Sequence, residues 1–278
     1  MFSIIIPTFN NINYLKICID SIKKNSKYDH EIILHVNDGS DGTFEYVKKN
    51  NLKHTYSYKN VGLCTAINSA AKLSTTKYIL YSHDDMYFCP EWDKYLIREV
   101  NAIGHNSFYL SGTMIEPKSG HIIFNCGEDI KTFDEKKLLS NYNNLTFYNH
   151  QGTHFAPHLV TKEMWNLVGG FSEEFNPGIA SDPDFNMKLW KEGVRIFKGL
   201  ANFKVYHFGS ITTRKKDGFK QNRGDKTFLK KWGITTKFFK KYYLKSKTKY
   251  LGPLTEPKIS LNYLFELILC KVRRILTF

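Results

Sequence analysis

The 278-residue sequence predicts an α/β protein: a Rossmann-like, mixed and mainly parallel sheet flanked by helices, followed by a basic, mostly helical C-terminal tail. Three observations predict it. Short apolar runs alternate with amphipathic stretches through residues 1–100, the signature of βα units. Acidic, glycine-containing or acid-rich segments follow directly on two of those runs, where open α/β sheets carry their ligands. Charge is also segregated: residues 211–278 hold 18 Lys and Arg against 4 Asp and Glu, leaving 22 of each in 1–210, so the whole net charge of +14 lies in the tail.

The elements follow in order. Phe2–Ile6 reads as the first strand, ended by Pro7, and Tyr14, Leu15, Cys18, Ile19 and Ile22 then recur at helical spacing. Glu31–Val36 is the second strand; after it, Asp41 or Thr43 can cap a further helix. His54–Tyr58 and Tyr78–Tyr81 are the third and fourth strands, with Ala66, Ile67, Ala70, Ala71 and Leu73 forming a helix face between them. From Ser107 the order changes: Phe108–Leu110 and His121–Phe124 read as strands about a Pro117–Gly120 turn, which makes the sheet mixed. Residues 127–160 are polar and without clear period, whereas Thr161–Leu167 and Asp182–Glu192 resume helical patterning, with Gly193 as a stop. The tail divides at Gly252-Pro253 and Pro257, between an aromatic, lysine-rich stretch (Phe228–Tyr250) and a short helix (Ser260–Phe278). The chain therefore reads as a body, 1–210, and an extension, 211–278.

Composition narrows the class. Cys18, Cys64, Cys89, Cys126 and Cys270 are odd in number and form no CxxC pair, which argues against a disulfide framework or a structural zinc site and for a reducing cytosol. The N-terminus opens on a strand rather than a leader peptide, and no run of apolar residues is long enough to span a bilayer. The pI near 9.4 belongs to the tail, which is expected to meet something anionic.

Three segments could carry chemistry. In Asn37-Asp38-Gly39-Ser40-Asp41-Gly42-Thr43, between a strand and a helix, a carboxylate can accept a nucleobase N–H, although an ordinary Asp/Gly turn has the same composition. The segment matches neither GxGxxG nor a P-loop. In Ser82-His83-Asp84-Asp85-Met86, adjacent carboxylates at a strand end repel each other, so a divalent cation such as Mg²⁺ or Mn²⁺, or a cationic partner, is expected to neutralise them. In Asp182-Pro183-Asp184, one acid suits a helix N-terminus and the other is available as a general base. His207, at the end of a strand, is either a structural imidazole or a ligand; His154 and His158 are weaker candidates.

Taken in order, these segments resemble the inverting GT-A glycosyltransferases of family 2, over residues 2–213. Ser3-Ile4-Ile5-Ile6-Pro7-Thr8-Phe9-Asn10 is similar to the family's first strand and nucleotide loop, and Asn37–Thr43 to its second. Asn60-Val61-Gly62, running to Asn68, resembles the NxGxxxAxN helix start, and His83-Asp84-Asp85-Met86 stands where the DxD-type metal motif belongs. Gly169–Phe175 and Ser181–Phe185 resemble the GGFDE loop and the ED-type catalytic segment. The resemblance implies that Pro7, Thr8, Asn10, Asp38, Asn60, Gly62 and Asp84 line the nucleotide-sugar site, with Asp38 on the base and Asp84 toward the ribose or sugar. It implies that Asp85 and His207 bind Mn²⁺ or Mg²⁺ and that Asp182 is the base, with Asp184 the other candidate because Ser181 replaces the usual Glu. Ile67 stands where relatives often have Arg. The implied reaction moves a sugar, with inversion, from a UDP- or dTDP-type donor to a hydroxyl of a glycan or lipid-linked glycan, as in polysaccharide biosynthesis.

Two other classes compete. A nucleotidyltransferase shares the sheet and the acidic ligands, but Pro7-Thr8-Phe9-Asn10-Asn11 lacks the Gly-rich, cationic loop such enzymes carry. Nucleic-acid binding would use Lys237-Phe238-Phe239-Lys240-Lys241-Tyr242-Tyr243, where cations interleave with rings, unless those rings pack on the body. In the last helix Leu261, Leu264, Phe265, Ile268, Val272, Ile275 and Leu276 make one apolar stripe. The stripe suits an anionic membrane surface on the cytoplasmic face, or docking on the body or on a second subunit in a homo-oligomer.

Overall fold

In the computed structural model, which describes residues 1–152, 155–209 and 223–277, the first apolar run forms β1 (Ser3–Phe9) at the heart of the sheet. Ile4, Ile5 and Ile6 are fully buried, as expected of a parallel strand covered on both faces. The chain then alternates through α1 (Ile12–Asn25), β2 (Glu31–Asn37), α2 (Thr43–Lys49), β3 (Lys53–Ser57), α3 (Leu63–Ala71) and β4 (Tyr78–Tyr81). β1 pairs in parallel with β2 and β4, and β2 with β3. The spatial order β3-β2-β1-β4 therefore reverses between β1 and β4, where a crevice opens beyond the carboxyl ends of the strands.

The second half supplies β5 (Met86–Phe88), α4 (Trp92–Ile103), β6 (Phe108–Glu116), β7 (Ile122–Ile123), α5 (Glu135–Asn141), β8 (His150–Gln151), β9 (His158–Thr161), α6 (Lys162–Leu167), α7 (Ser181–Lys191) and β10 (Ile196–His207). β9 runs antiparallel between β4 and β6, and β10 lies parallel to β6 and antiparallel to β5. The sheet is mixed, as expected, but two details differ from the sequence reading. β6 runs on past Leu110 to Glu116, because Ser111, Gly112 and Thr113 interrupt its apolar run while remaining inside; the Thr113 hydroxyl donates to the Leu200 carbonyl at 2.7 Å. Residues 127–160, aperiodic in sequence, supply α5, β8 and the start of β9, a strand buried on both faces and so without alternation. Gly193 ends α7 as expected: at φ 83° it lets the Val194 N–H close on the Leu189 carbonyl at 3.0 Å.

The extension begins, among described residues, with α8 (Gly224–Trp232), continues through a helical turn at 236–243 and ends in α9 (Leu261–Thr277). Phe228, Phe238, Phe239 and Leu244 are buried in the same core cluster as β1, β4 and β10. Lys237 and Lys241 face solvent. Phe238 and Phe239 are thus consumed by packing and cannot stack on bases. The boundary at 210/211, the segment Ser210–Thr213, His154 and Phe278 lie outside the described residues.

Candidate active site at the carboxyl edge of the sheet

Past the ends of β1 and β2, Asn10 (φ 47°) and Asp38 (φ 62°) enter the left-handed region, which Asn and Asp tolerate best among residues with a Cβ. Their side chains lock the two loops together. The Asn10 amide donates to Asp38 Oδ2 at 2.9 Å, while its Oδ1 accepts the Gly39 N–H at 2.9 Å. Asp41 is a clasp: its carboxylate accepts the Ile12 N–H (2.9 Å) at the start of α1, and the Thr43 N–H (3.1 Å) and hydroxyl (2.6 Å) at the start of α2. Pro7 is buried within β1, opposite His35 of β2.

Across the crevice, the Thr8 hydroxyl donates to Asp84 Oδ2 at 2.7 Å and the Asn11 amide to Asp84 Oδ1 at 3.1 Å. Burial and the neighbouring Asp85 raise the Asp84 pKa to about 7 against those two donors. Both Asp84 oxygens therefore tie the β4 end to the β1 loop.

The register of β10 on β5 sets His207 opposite Met86, and the Phe208 N–H bonds to the Asp85 carbonyl at 3.2 Å. Asp85 Oδ1 consequently lies 3.4 Å from His207 Nε2 and 3.9 Å from His83 Nδ1. Ligand atoms of His83, Asp85 and His207 all fall within 4.8 Å of one another. Behind them, Glu116 ends β6 one step beyond the Ile115–Tyr206 pair and holds His207 Nδ1 at 2.6 Å. Burial by itself would lower the His207 pKa, but Asp85 and Glu116 together raise it to about 10. Burial lowers His83 to about 4, with His207 adding to it and Asp85 opposing. The His207 proton stands against Asp85 at 3.4 Å, and an ion taken up by the site would displace it from Nε2.

The same trio fits a divalent ion. It offers one carboxylate and two imidazoles; buried His207 Nε2 faces the Asp85 carboxylate at 3.4 Å; and a second carboxylate orients the ring from its other nitrogen, the usual arrangement behind a ligating histidine. His83 lies within the acidic motif after β4, where its neighbours in sequence give no sign that it is a ligand. Glu116 carried no signal there, because only strand pairing brings the ends of β6 and β10 together.

At the start of α7 the two aspartates part company. Asp184 is fully buried; its Oδ2 accepts the Ser172 hydroxyl at 2.6 Å, and its Oδ1 accepts the Trp232 indole N–H at 2.8 Å and meets the Lys231 ammonium at 3.0 Å. It braces α7 against α8, both of its oxygens being engaged by residues of the fold. Asp182 is partly exposed, yet its Oδ1 is buried without a partner, and burial raises its pKa to about 7. Asp182, Asp85 and Asp84 all bear electrostatically on the buried Tyr81 hydroxyl, whose pKa is driven well up, chiefly by burial. The acid on α7 and the acids after β4 therefore border one region.

Asn60 and Gly62, read from the resemblance as donor-binding, spend their polar groups locally: Asn60 Oδ1 accepts the Gly62 N–H at 2.9 Å. Gly62 (φ 87°) leaves room for Asn176, whose Oδ1 accepts the Cys64 N–H at 2.9 Å at the start of α3. Asn68 pairs with the Phe171 backbone at 2.7 and 2.9 Å, seating the loop before α7 on α3, and Ile67 is wholly within the core.

Residues 3–158 match the glycosyl transferase family 2 profile. The chain is 28% identical over 244 residues to the hyaluronan synthase of Pasteurella multocida, covering 84% of this chain and 22% of that protein. It is 32% identical over 176 residues to an uncharacterized glycosyltransferase of Rickettsia prowazekii (strain Madrid E), covering 62% and 53%. It thus spans only part of the length of these relatives. Among solved structures, S. aureus TarS residues 1–349 with UDP-GlcNAc superposes with a TM-score of 0.55 at 18% identity, over 75% of this chain and 60% of that one. GalNAc-T7 with UDP, GalNAc and Mn²⁺ superposes with a TM-score of 0.57 at 15% identity, over 74% and 43%. Both likenesses are of fold, and the fold is GT-A.

Proposed function

Because the chain belongs to glycosyl transferase family 2, we propose that it moves a sugar, with inversion, from a nucleoside-diphosphate sugar to a hydroxyl of a glycan or lipid-linked glycan. The observation that carries this reading is the meeting, at one crevice, of the Asp38 loop, the His83–Asp85–His207 trio and Asp182. Asp38 accepts a base N–H, with Pro7, Thr8 and Asn10 shaping the loop around it. That preference suits UDP and dTDP donors alike; the UDP and UDP-GlcNAc complexes of TarS favour uridine. Asp84 serves the donor indirectly, by holding the β1 loop to the β4 end.

Asp85, His207 and His83 would hold the metal, Mn²⁺ ahead of Mg²⁺, since imidazole is a poor ligand for an ion that seeks hard oxygens. When bound, the ion neutralises charge gathering on the departing diphosphate. Glu116 keeps His207 Nδ1 engaged so that Nε2 faces the site. Asp182 removes the acceptor hydroxyl proton as that oxygen attacks the anomeric carbon in line; its elevated pKa suits a base working near neutrality. One carboxylate base suffices, unlike the carboxyl pair of a glycoside hydrolase. The reaction belongs to residues 1–210, at the cytoplasmic face of a membrane if the acceptor is lipid-linked.

A panel of UDP- and dTDP-sugars assayed for donor turnover in Mn²⁺, Mg²⁺ and EDTA tests the reading, with the anomeric configuration of the product reporting inversion. Calorimetry should find that UDP binds the parent in Mn²⁺ and not in EDTA, and that Asp85→Ala removes the difference. Equal UDP affinity in Mn²⁺ and in excess EDTA would overturn the metal assignment, and silence with every nucleotide sugar would overturn the activity.

A further inference from the structure

α9 meets the body along one face only. Tyr263 and Leu267 pack half-buried on the core, Cys270 is buried, and Glu266 pairs with Lys241 at 2.6 Å. The opposite face carries Leu264, Phe265, Ile268, Leu269, Val272 and Ile275, each between 43% and 77% exposed. Every member of the apolar stripe read from the sequence is exposed, so the stripe is not what docks the helix on the body. Soluble chains rarely leave so continuous an apolar strip in water without a use for it.

We propose that this face, with the cations around it, docks the protein on an anionic lipid surface, α9 lying along the interface. Charge selects the occupant. Residues 211–278 hold 18 basic and 4 acidic residues, and two of the acids, Glu256 and Glu266, are already paired with Arg195 and Lys241. Lys271 and Arg273 stand exposed on α9 itself, and Lys237, Lys245 and Lys247 in the segment before it. A second copy docking face to face would bring two such fields together, which like-charge repulsion opposes, whereas anionic headgroups answer both the apolar stripe and its basic surround. Among the described residues no helix is long and apolar enough to cross a membrane. α9, at 17 residues, reaches roughly 25 Å and is interrupted by Glu266, Lys271, Arg273 and Arg274, so it lies in the interface plane.

The inference does not depend on which sugar is moved. The full chain is sedimented with vesicles of phosphatidylcholine alone or mixed with phosphatidylserine, at low and high salt. Recovery is expected with the anionic vesicles only and should fall at high salt. It should fall on the order of tenfold in Leu264→Ser/Phe265→Ser/Ile268→Ser and in Lys271→Glu/Arg273→Glu. Circular dichroism and donor turnover check that the variants remain folded. Equal recovery of parent and variants, recovery indifferent to lipid charge, or no recovery at all overturns the proposal. Self-association in ultracentrifugation that the triple serine variant abolishes, without vesicle binding, would give the face to a second copy instead. Vesicle recovery in a chain silent toward every donor would overturn the transferase reading and leave this one standing.

Discussion

At Asp182 one carboxyl meets two opposed demands. Burial raises its pKa to about 7, which poises it as a base near neutrality but makes its ionised form costly to the fold. Asp182→Asn should therefore lower turnover by a factor on the order of 10² to 10⁴ while UDP binding persists. In the parent the rate should climb with pH up to about 7 and then level, as Asp182 sheds its proton; in the variant the share of that limb owed to Asp182 should be lost, leaving only what Asp84, also near 7, contributes. Cys64, at about 12, and Tyr81 and Tyr109, raised well above their ordinary value, stay neutral across this window, whereas Asp84 shares it and is the same in parent and variant. Stability runs the other way. With the folded pKa above the unfolded one, the unfolded state ionises first, so the contribution present below about pH 4 is lost as pH rises to about 7. Urea unfolding at pH 8 should find Asp182→Asn more stable than the parent, on the order of 1–4 kcal/mol. A less stable variant, or an unchanged pH–rate profile, would remove Asp182 from the role of base.

At the scale of elements, α7 is held in place by residues distant in sequence. Trp232 and Lys231 of α8 and Ser172 before α7 converge on Asp184, and Lys231 also reaches Glu174 at 2.7 Å. Trp232→Phe keeps an aromatic ring but loses the fused pyrrole with its N–H, leaving a buried carboxylate short of one donor. Urea denaturation should show a loss of about 1–3 kcal/mol, with turnover reduced through the displaced start of α7. No change in the unfolding midpoint would mean that Lys231 and Ser172 satisfy Asp184 between them. The helices themselves were legible from spacing: α1, α3 and α7 lie within a few residues of where periodicity put them. β9 was not, because a strand buried on both faces has no alternation and four residues carry too little pattern to stand out from a polar surround.

For the whole molecule, charge segregation suggested a body with an appendage, and burial tells a different story. Phe228, Leu229, Phe238, Phe239 and Leu244 are at most 3% exposed and belong to the main core. At roughly 1.5–3 kcal/mol for each large side chain, removing them would cost as much as the whole stability of a typical domain, about 5–15 kcal/mol. A chain ending at residue 223 should fail to unfold cooperatively. One ending at residue 259 gives up, among the described residues, only Cys270 of the buried hydrophobics and should keep a sharp thermal transition. A sharp transition in the shorter chain would make the extension a true appendage.

The βα alternation of the first half, the loops after β1 and β2, the acids beyond β4 and at α7, and so the family, are legible in the order of residues alone. These are local facts: a run of isoleucines, an Asp–Gly turn or a helical spacing reports its own burial and bonds within a few residues. That Glu116 stands behind His207, that His83 joins Asp85 and His207, that Asp184 is a brace and Asp182 is not, and that the stripe of α9 faces outward emerge from the assembled fold. Each of those rests on strand register or helix docking between residues far apart in the chain. A single sequence records which side chains are present at such a meeting, but the meeting itself arises only when the sheet is assembled.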